Sequence, residues 1–188
     1  LTFKYLSRLC AWQWFRADAD ITGHFVSRQV LIQKTAQLIL ANSNHDKPVI
    51  AVLMPAIPEI YPAILGAMQV GTVFPINWML EPQHLLHLLI ESQSTHVITL
   101  GPTPGFRIWE TFQSIQDQLP KDLGIWTIPG VDGTRIASND WKTQIDALPT
   151  QQNPNVNWQP GESIGAYIHS GGTTGAPKIV KITHRNMS

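Results

Sequence analysis

Val49-Ile-Ala-Val-Leu-Met54 is an unbroken apolar run stopped at once by Pro55. A strand with one face in water alternates apolar and polar positions, so a continuous run of this length marks a strand covered on both faces. That is the pattern of a parallel sheet between helices. Upstream, Val26, Val30, Leu31, Leu38 and Ala41 fall on one side of a helical wheel, and Asn42-Ser43-Asn44 closes the helix. Downstream, Pro58 and Pro62 suit the start of a helix, where a missing N–H costs little, and Ile60, Ile64, Ala67 and Met68 carry an apolar face to Gly71. Thr72-Val-Phe-Pro-Ile76 reads as a second strand. A helix over 82–91 is expected to turn Leu85, Leu86, Leu89 and Ile90 inward, and His96-Val-Ile-Thr-Leu100 makes a third strand. A helix over 106–119 and a strand at Gly124-Ile-Trp-Thr-Ile128 continue the rhythm. It predicts an α/β fold, a layered and mostly parallel sheet flanked by helices.

Beyond Pro129 the periodic signal fades. Pro149, Gln151, Gln152, Asn153, Pro154, Asn155, Asn157 and Pro160 form a polar, proline-studded connector. The expected organisation is an α/β subdomain over 1–148, a connector over 149–162, and a β-hairpin-like unit over 163–188 that opens a further subdomain.

Of the 188 residues, 43% are hydrophobic and 14% charged, which argues against disorder. Thirteen basic residues balance thirteen acidic ones, removing any electrostatic case for nucleic acid or an anionic membrane as main partner. Pro55, Pro58, Pro62 and Gly71 break the longest apolar stretches, so no integral membrane segment is expected. The single Cys10 reads as a small apolar filler in a reducing compartment. With no secretory leader pattern between Leu1 and Ala17, the location expected is cytoplasmic. Leu1, not a methionine, reads as a cut or a truncated gene start.

The chemistry concentrates at Ser170-Gly-Gly-Thr-Thr-Gly-Ala-Pro-Lys178, entered by the strand-like Ile164-Gly-Ala-Tyr-Ile-His169 and left by Ile179-Val-Lys-Ile-Thr183. Gly171, Gly172 and Gly175 let backbone N–H groups crowd around an anion, Thr173 and Thr174 add hydroxyl donors, and Lys178 brings a mobile positive charge. This is not a Walker A loop. Ala176 and Pro177 separate Gly175 from Lys178, and a strand follows instead of a helix.

The segment closely resembles the signature of the adenylate-forming superfamily, which includes acyl-CoA synthetases, luciferases and the adenylation domains of peptide synthetases. Its phosphate loop reads Ser/Thr-Gly-(Gly/Ser/Thr)-Thr-Thr-Gly-x-Pro-Lys, then a strand and Thr-His-x-Asn, matched here by Thr183-His184-Arg185-Asn186. Met54-Pro-Ala-Ile-Pro-Glu59, Leu65-Gly-Ala-Met68, Gly71, Pro75-Ile-Asn77 and Leu80-Glu-Pro82 are similar to the acyl-CoA ligases of that family. Ile179 stands where many members have glycine. The resemblance implies an AMP-forming acid–thiol ligase of the kind used in fatty acid metabolism. It takes a carboxylate and ATP, with Mg2+, to an acyl-adenylate and pyrophosphate, then passes the acyl group to coenzyme A. It implies further that Thr173, Thr174, Gly175 and Lys178 hold the ATP phosphates while Ser170, Gly171 and Gly172 shape the turn. No catalytic residue and no metal ligand is assigned within the chain. The family's Tyr-Gly-x-Thr-Glu element, its ribose-binding Thr-Gly-Asp and its C-terminal lysine have no counterpart before Ser188. The expectation is therefore an N-terminal fragment, inactive alone. The alternative is a naturally short nucleotide-binding or interaction module without catalysis, and a homodimer stays open as a partner.

Blander readings are expected elsewhere. His84 and His87 with Glu91 read as a solvated helix face in preference to a metal cluster. His169, on the same strand face as Tyr167, reads as packing ahead of phosphate contact. His184 closes the rear of the loop, Trp78 is structural, and the seven tryptophans anchor core and surface. Asn186-Met-Ser188 matches a glycosylation triplet by chance.

Overall fold

A computed structural model describes residues 21–130, 133–136, 139–149, 161–170 and 177–187. Cys10 and most of the connector lie outside the described residues. In chain order the elements are α1 (Ile21–Asn42), β1 (Val49–Leu53), α2 (Ile60–Val70), β2 (Thr72–Pro75), α3 (Pro82–Glu91), β3 (His96–Leu100), α4 (Ile108–Gln116), β4 (Gly124–Ile128), α5 (Trp141–Ala147), β5 (Ile164–His169) and β6 (Ile179–Thr183), then a 3-10 turn at His184–Met187. The six strands form one sheet in the order β4-β3-β1-β2-β5-β6. Every pairing is parallel except that of β5 with β6. The α/β expectation is met.

All five residues of β1 and all five of β3 are buried. Successive side chains of a strand point to opposite faces, so both faces of these strands are covered. Among the helices, α1 packs on α2 and α5, and α3 packs on α4.

Local chemistry explains the boundaries. In α2, Pro62 sits within the first turn, where its missing N–H removes no intrahelical bond. Pro82 opens α3 in the same way. One expectation fails on α3: Ile90 is 53% exposed, and Leu88 is buried in its place. At 100° per residue Leu85, Leu88 and Leu89 share one stripe, and Ile90 rotates out of it. On α2 the buried stripe is Pro62, Ala63, Gly66 and Ala67, with Ile60, Ile64 and Met68 half-buried beside it.

An element without a sequence expectation is α5. Its cap is Asp140, whose carboxylate accepts from the Lys142 N–H at 2.9 Å, from the Thr143 hydroxyl at 2.8 Å and from Arg135 Nη1 at 3.0 Å. Only Trp141 and Ile145 of the helix are buried. Two buried positions in seven residues give too little periodicity to detect.

Helix α1 approaches α2 at Gly66. A Cβ there would stand 2.6 Å from Thr35 Cβ and 2.8 Å from the Ile32 carbonyl oxygen. Gly66→Ala is therefore expected to force the helices apart at a cost of about 1–3 kcal/mol, read as a lower urea midpoint. An unchanged midpoint would show that α1 yields freely.

His96 is buried on β3, stacked on Trp126 with ring centroids 4.9 Å apart. Its Nδ1 is 2.9 Å from Thr95 Oγ1 and its Nε2 is 3.3 Å from the Asn42 carbonyl oxygen. Burial pushes its pKa below the ordinary histidine value of 6.5, the Asn42 carbonyl opposes this, and nearby His45 adds to it. The unfolded chain takes up the proton more readily than the folded one. This stabilisation is thus complete above about pH 6.5 and is lost as pH falls from there toward the depressed folded value. Denaturant midpoints are expected to be level above that pH and to decline below it, less steeply in His96→Phe. An equal decline in both proteins would remove His96 as the cause.

Candidate phosphate-binding site

Strand β5 is held on both edges. On one, Val73 of β2 pairs with Ala166, and the Thr72 hydroxyl donates to the Ile164 carbonyl at 3.0 Å. On the other, the antiparallel ladder with β6 runs to the pair His169 and Ile179. One step beyond, the Ser170 N–H donates to the Lys178 carbonyl at 2.9 Å, and the Lys178 N–H donates to Ser170 Oγ at 3.2 Å. The two ends of the glycine-threonine segment are thereby fastened together at the end of a ladder. Gly171, Gly172, Thr173, Thr174 and Gly175 lie outside the described residues. Their part in the site stands on sequence.

Pro177 is buried, while Ser170 and Lys178 are exposed. Among the described residues no carboxylate pairs with the Lys178 ammonium. The site also lies where ligands gather in such folds. Strands β1 to β5 are mutually parallel, and Ser170 follows the carboxyl end of β5.

A chain of contacts ties this edge together. Tyr167 and His169 both turn toward buried Phe74 on β2, at ring-centroid separations of 5.9 Å and 6.3 Å in edge-on geometry. This is the shared face expected from the sequence. The Asn77 N–H donates to His169 Nε2 at 3.0 Å, and Asn77 Oδ1 accepts from the Met79 N–H at 3.0 Å, forming a side-chain-closed turn. Next to it, half-buried Trp78 meets Phe106 edge-on at 5.4 Å. Asn77 and Phe106 carried no site expectation. Nothing in sequence spacing pairs Asn77 with a histidine 92 positions away.

Behind the loop, Thr183 and Asn186 cap each other. The Thr183 hydroxyl donates to Asn186 Oδ1 at 2.8 Å, Asn186 Oδ1 also accepts from the Thr183 N–H at 3.1 Å, and the Asn186 N–H donates to Thr183 Oγ1 at 3.3 Å. It is a reciprocal capping box built with Asn. His184 opens the 3-10 turn, and its N–H donates to the Ser163 carbonyl at 3.1 Å. Its ring lies against Gly165, where a Cβ would meet Met187 Cε at 2.5 Å and His184 Cε1 at 2.8 Å, so any larger residue there would have to push both side chains aside. Burial lowers the His184 pKa. On α3, His84, His87 and Glu91 are exposed, with His87 Nε2 3.0 Å from Glu91 Oε2.

The mostly parallel sheet, with Ser170 and Lys178 joined just beyond the carboxyl end of β5, defines an α/β protein. The profile of the AMP-binding enzyme family matches residues 30–188, and the chain belongs to that family. It is 31% identical over 137 residues to a marinolic acid–CoA ligase of Pseudoalteromonas sp. (strain SANK 73390), a match covering 72% of this chain and 20% of the relative. Among solved structures, a long-chain-fatty-acid–CoA ligase of Archaeoglobus fulgidus superposes with a TM-score of 0.70 at 23% identity, covering 85% of this chain and 30% of that one. An anthranilate CoA ligase in complex with anthranoyl-AMP gives 0.73 at 20% identity, covering 86% and 30%. At these identities the structural likeness speaks for the fold. The chain spans about a fifth of the length of the curated relative it matches.

The capping box yields a direct test. Asn186→Ala is expected to lower stability by about 0.5–2 kcal/mol, measured by thermal unfolding, because it removes the acceptor of two bonds. Asn186→Asp, which keeps that acceptor, should lie closer to wild type. Equal losses in both would assign the effect to something other than the cap.

Proposed function

We propose that this chain supplies the phosphate-binding part of an ATP-dependent acid–thiol ligase of the acyl-CoA synthetase type. The observation that carries the reading is the double hydrogen bond between Ser170 and Lys178, which closes the signature loop at its root and leaves the Lys178 ammonium exposed. Family membership and the likeness to a CoA ligase support it.

The residues present fit a polyphosphate. Lys178 would neutralise charge on the β- and γ-phosphates, and Thr173 and Thr174 would donate hydroxyls. Gly171, Gly172 and Gly175 would leave backbone N–H groups unobstructed, with Ser170 holding the turn. ATP supplies the leaving group that activates the carboxylate, and the chain's share is to hold and orient that leaving end. No residue here is assigned to Mg2+, to coenzyme A or to the carboxylate. The reaction, carboxylate plus ATP to acyl-adenylate and pyrophosphate followed by thioester formation, is proposed for a chain carrying the rest of the fold. The 188-residue chain is expected to be inactive.

Calorimetry with MgATP and with pyrophosphate should detect weak binding by the wild-type chain. Lys178→Ala should weaken it at least roughly tenfold, since a hydrogen bond to a charged group contributes about 1.5–3 kcal/mol. Indistinguishable heats for the two proteins would reject the loop as the phosphate site. Incubation of the chain with ATP, Mg2+, coenzyme A and a panel of carboxylates should give no acyl-CoA, and clear turnover would overturn its proposed inactivity.

A further inference from the structure

Histidine 169 occupies a singular place. Its Nε2 accepts the Asn77 N–H at 3.0 Å, so that nitrogen carries no proton, and the neutral ring must hold its proton on Nδ1. Nδ1 is itself buried and has no hydrogen-bond partner among the described residues. A buried donor left unpaired calls for an explanation, because most such groups are satisfied. The ring is steadied by its edge-on contact with Phe74, and the next residue is Ser170, where the loop is fastened. His169 therefore joins two segments that converge at the carboxyl edge of the sheet. One is the turn beginning at Asn77, and the other is the root of the loop.

We propose that His169 is a positioning residue for phosphate binding: as its Nδ1–H tautomer it clamps the end of β5 to the Asn77 turn, and that clamp sets the loop's affinity for a polyphosphate. This rests on the phosphate-binding reading above. The physical case is one of order. A loop that must gather several donors around an anion binds more weakly if its root is free to move, since ordering then occurs at the moment of binding. The Ser170–Lys178 rung fixes the loop to β6, and the Asn77–His169 bond fixes the same root to the β2 side. Only an unprotonated Nε2 can accept that amide. Among the described residues nothing donates to the buried Nδ1, so no partner there favours the tautomer with its proton on Nε2.

Two substitutions separate the two ring nitrogens, because a Gln carbonyl reaches the position of Nε2 whereas an Asn side chain reaches only that of Nδ1. In the 188-residue chain, pyrophosphate binding by calorimetry and hydrogen exchange of the Asn77 amide are measured for wild type, His169→Gln, His169→Asn and Lys178→Ala. His169→Gln is expected to keep Asn77 protected and to bind within about twofold of wild type, and His169→Asn to lose that protection and bind roughly tenfold more weakly. Lys178→Ala should weaken binding while leaving Asn77 protected. Wild-type affinity in His169→Asn, alongside weakened Lys178→Ala, would overturn the clamp and leave the phosphate site standing. Retention by His169→Asn with loss by His169→Gln would transfer the role to Nδ1–H and equally overturn it. Failure of the wild type to bind pyrophosphate, or equal binding by Lys178→Ala, would overturn the phosphate reading and the clamp with it.

Discussion

Strand β1 has no polar face and no free edge. Its five side chains are buried on alternating sides, so layers must cover both faces, and its backbone is paired by β2 on one side and β3 on the other. Unpaired backbone groups at such depth would be costly, so a central strand of this kind requires neighbours before it can be buried at all. Parallel neighbours require crossovers, and the crossovers are the helices that cover the faces. Once that core exists, the edge beyond β2 becomes the place where β5 can add with most of its environment already built. The Ser170–Lys178 rung inherits its position from an apolar strand more than a hundred residues earlier.

Much of this was legible because it is periodic. Val49–Leu53, His96–Leu100 and Gly124–Ile128 are strands within a residue of where the apolar-rich segments place them, and Pro82–Glu91 matches its expected helix. The misreading of Ile90 came from taking four neighbouring apolar residues as one stripe, although a helix can bury only about a third of its circumference. Helix α5 escaped because its stability resides in the Asp140 cap and in packing on α1, neither of which leaves a repeating signal.

The site divides along the same line. For its loop a candidate chemistry was legible, since closely spaced Gly, Thr and Lys suit an anion. Its framing was not. The Asn77–His169 bond joins positions 92 apart, and Thr183 with Asn186 could be recognised as a family motif without revealing that they bond reciprocally. That second case turns a sequence string into a geometry: the Thr hydroxyl donates to the Asn side-chain oxygen and accepts from the Asn backbone N–H. Serine could do the same, whereas valine could do neither.

The placement of the loop at the end of a ladder has an energetic consequence. A flexible loop closes more easily when fewer residues separate its fixed points, although the dependence on length is only logarithmic. The larger gain comes from fixing direction. With Ser170 and Lys178 joined by two hydrogen bonds, the segment between them starts and ends on adjacent, antiparallel strands and need not search for its own closure. Glycines, which lose the most conformational freedom on ordering, are then tolerable in number at this one place. The same residues that would give an anion access to backbone N–H groups would destabilise an unfastened loop. A rigid root beneath a permissive tip is thus the condition under which Gly171, Gly172 and Gly175 could serve an anion together.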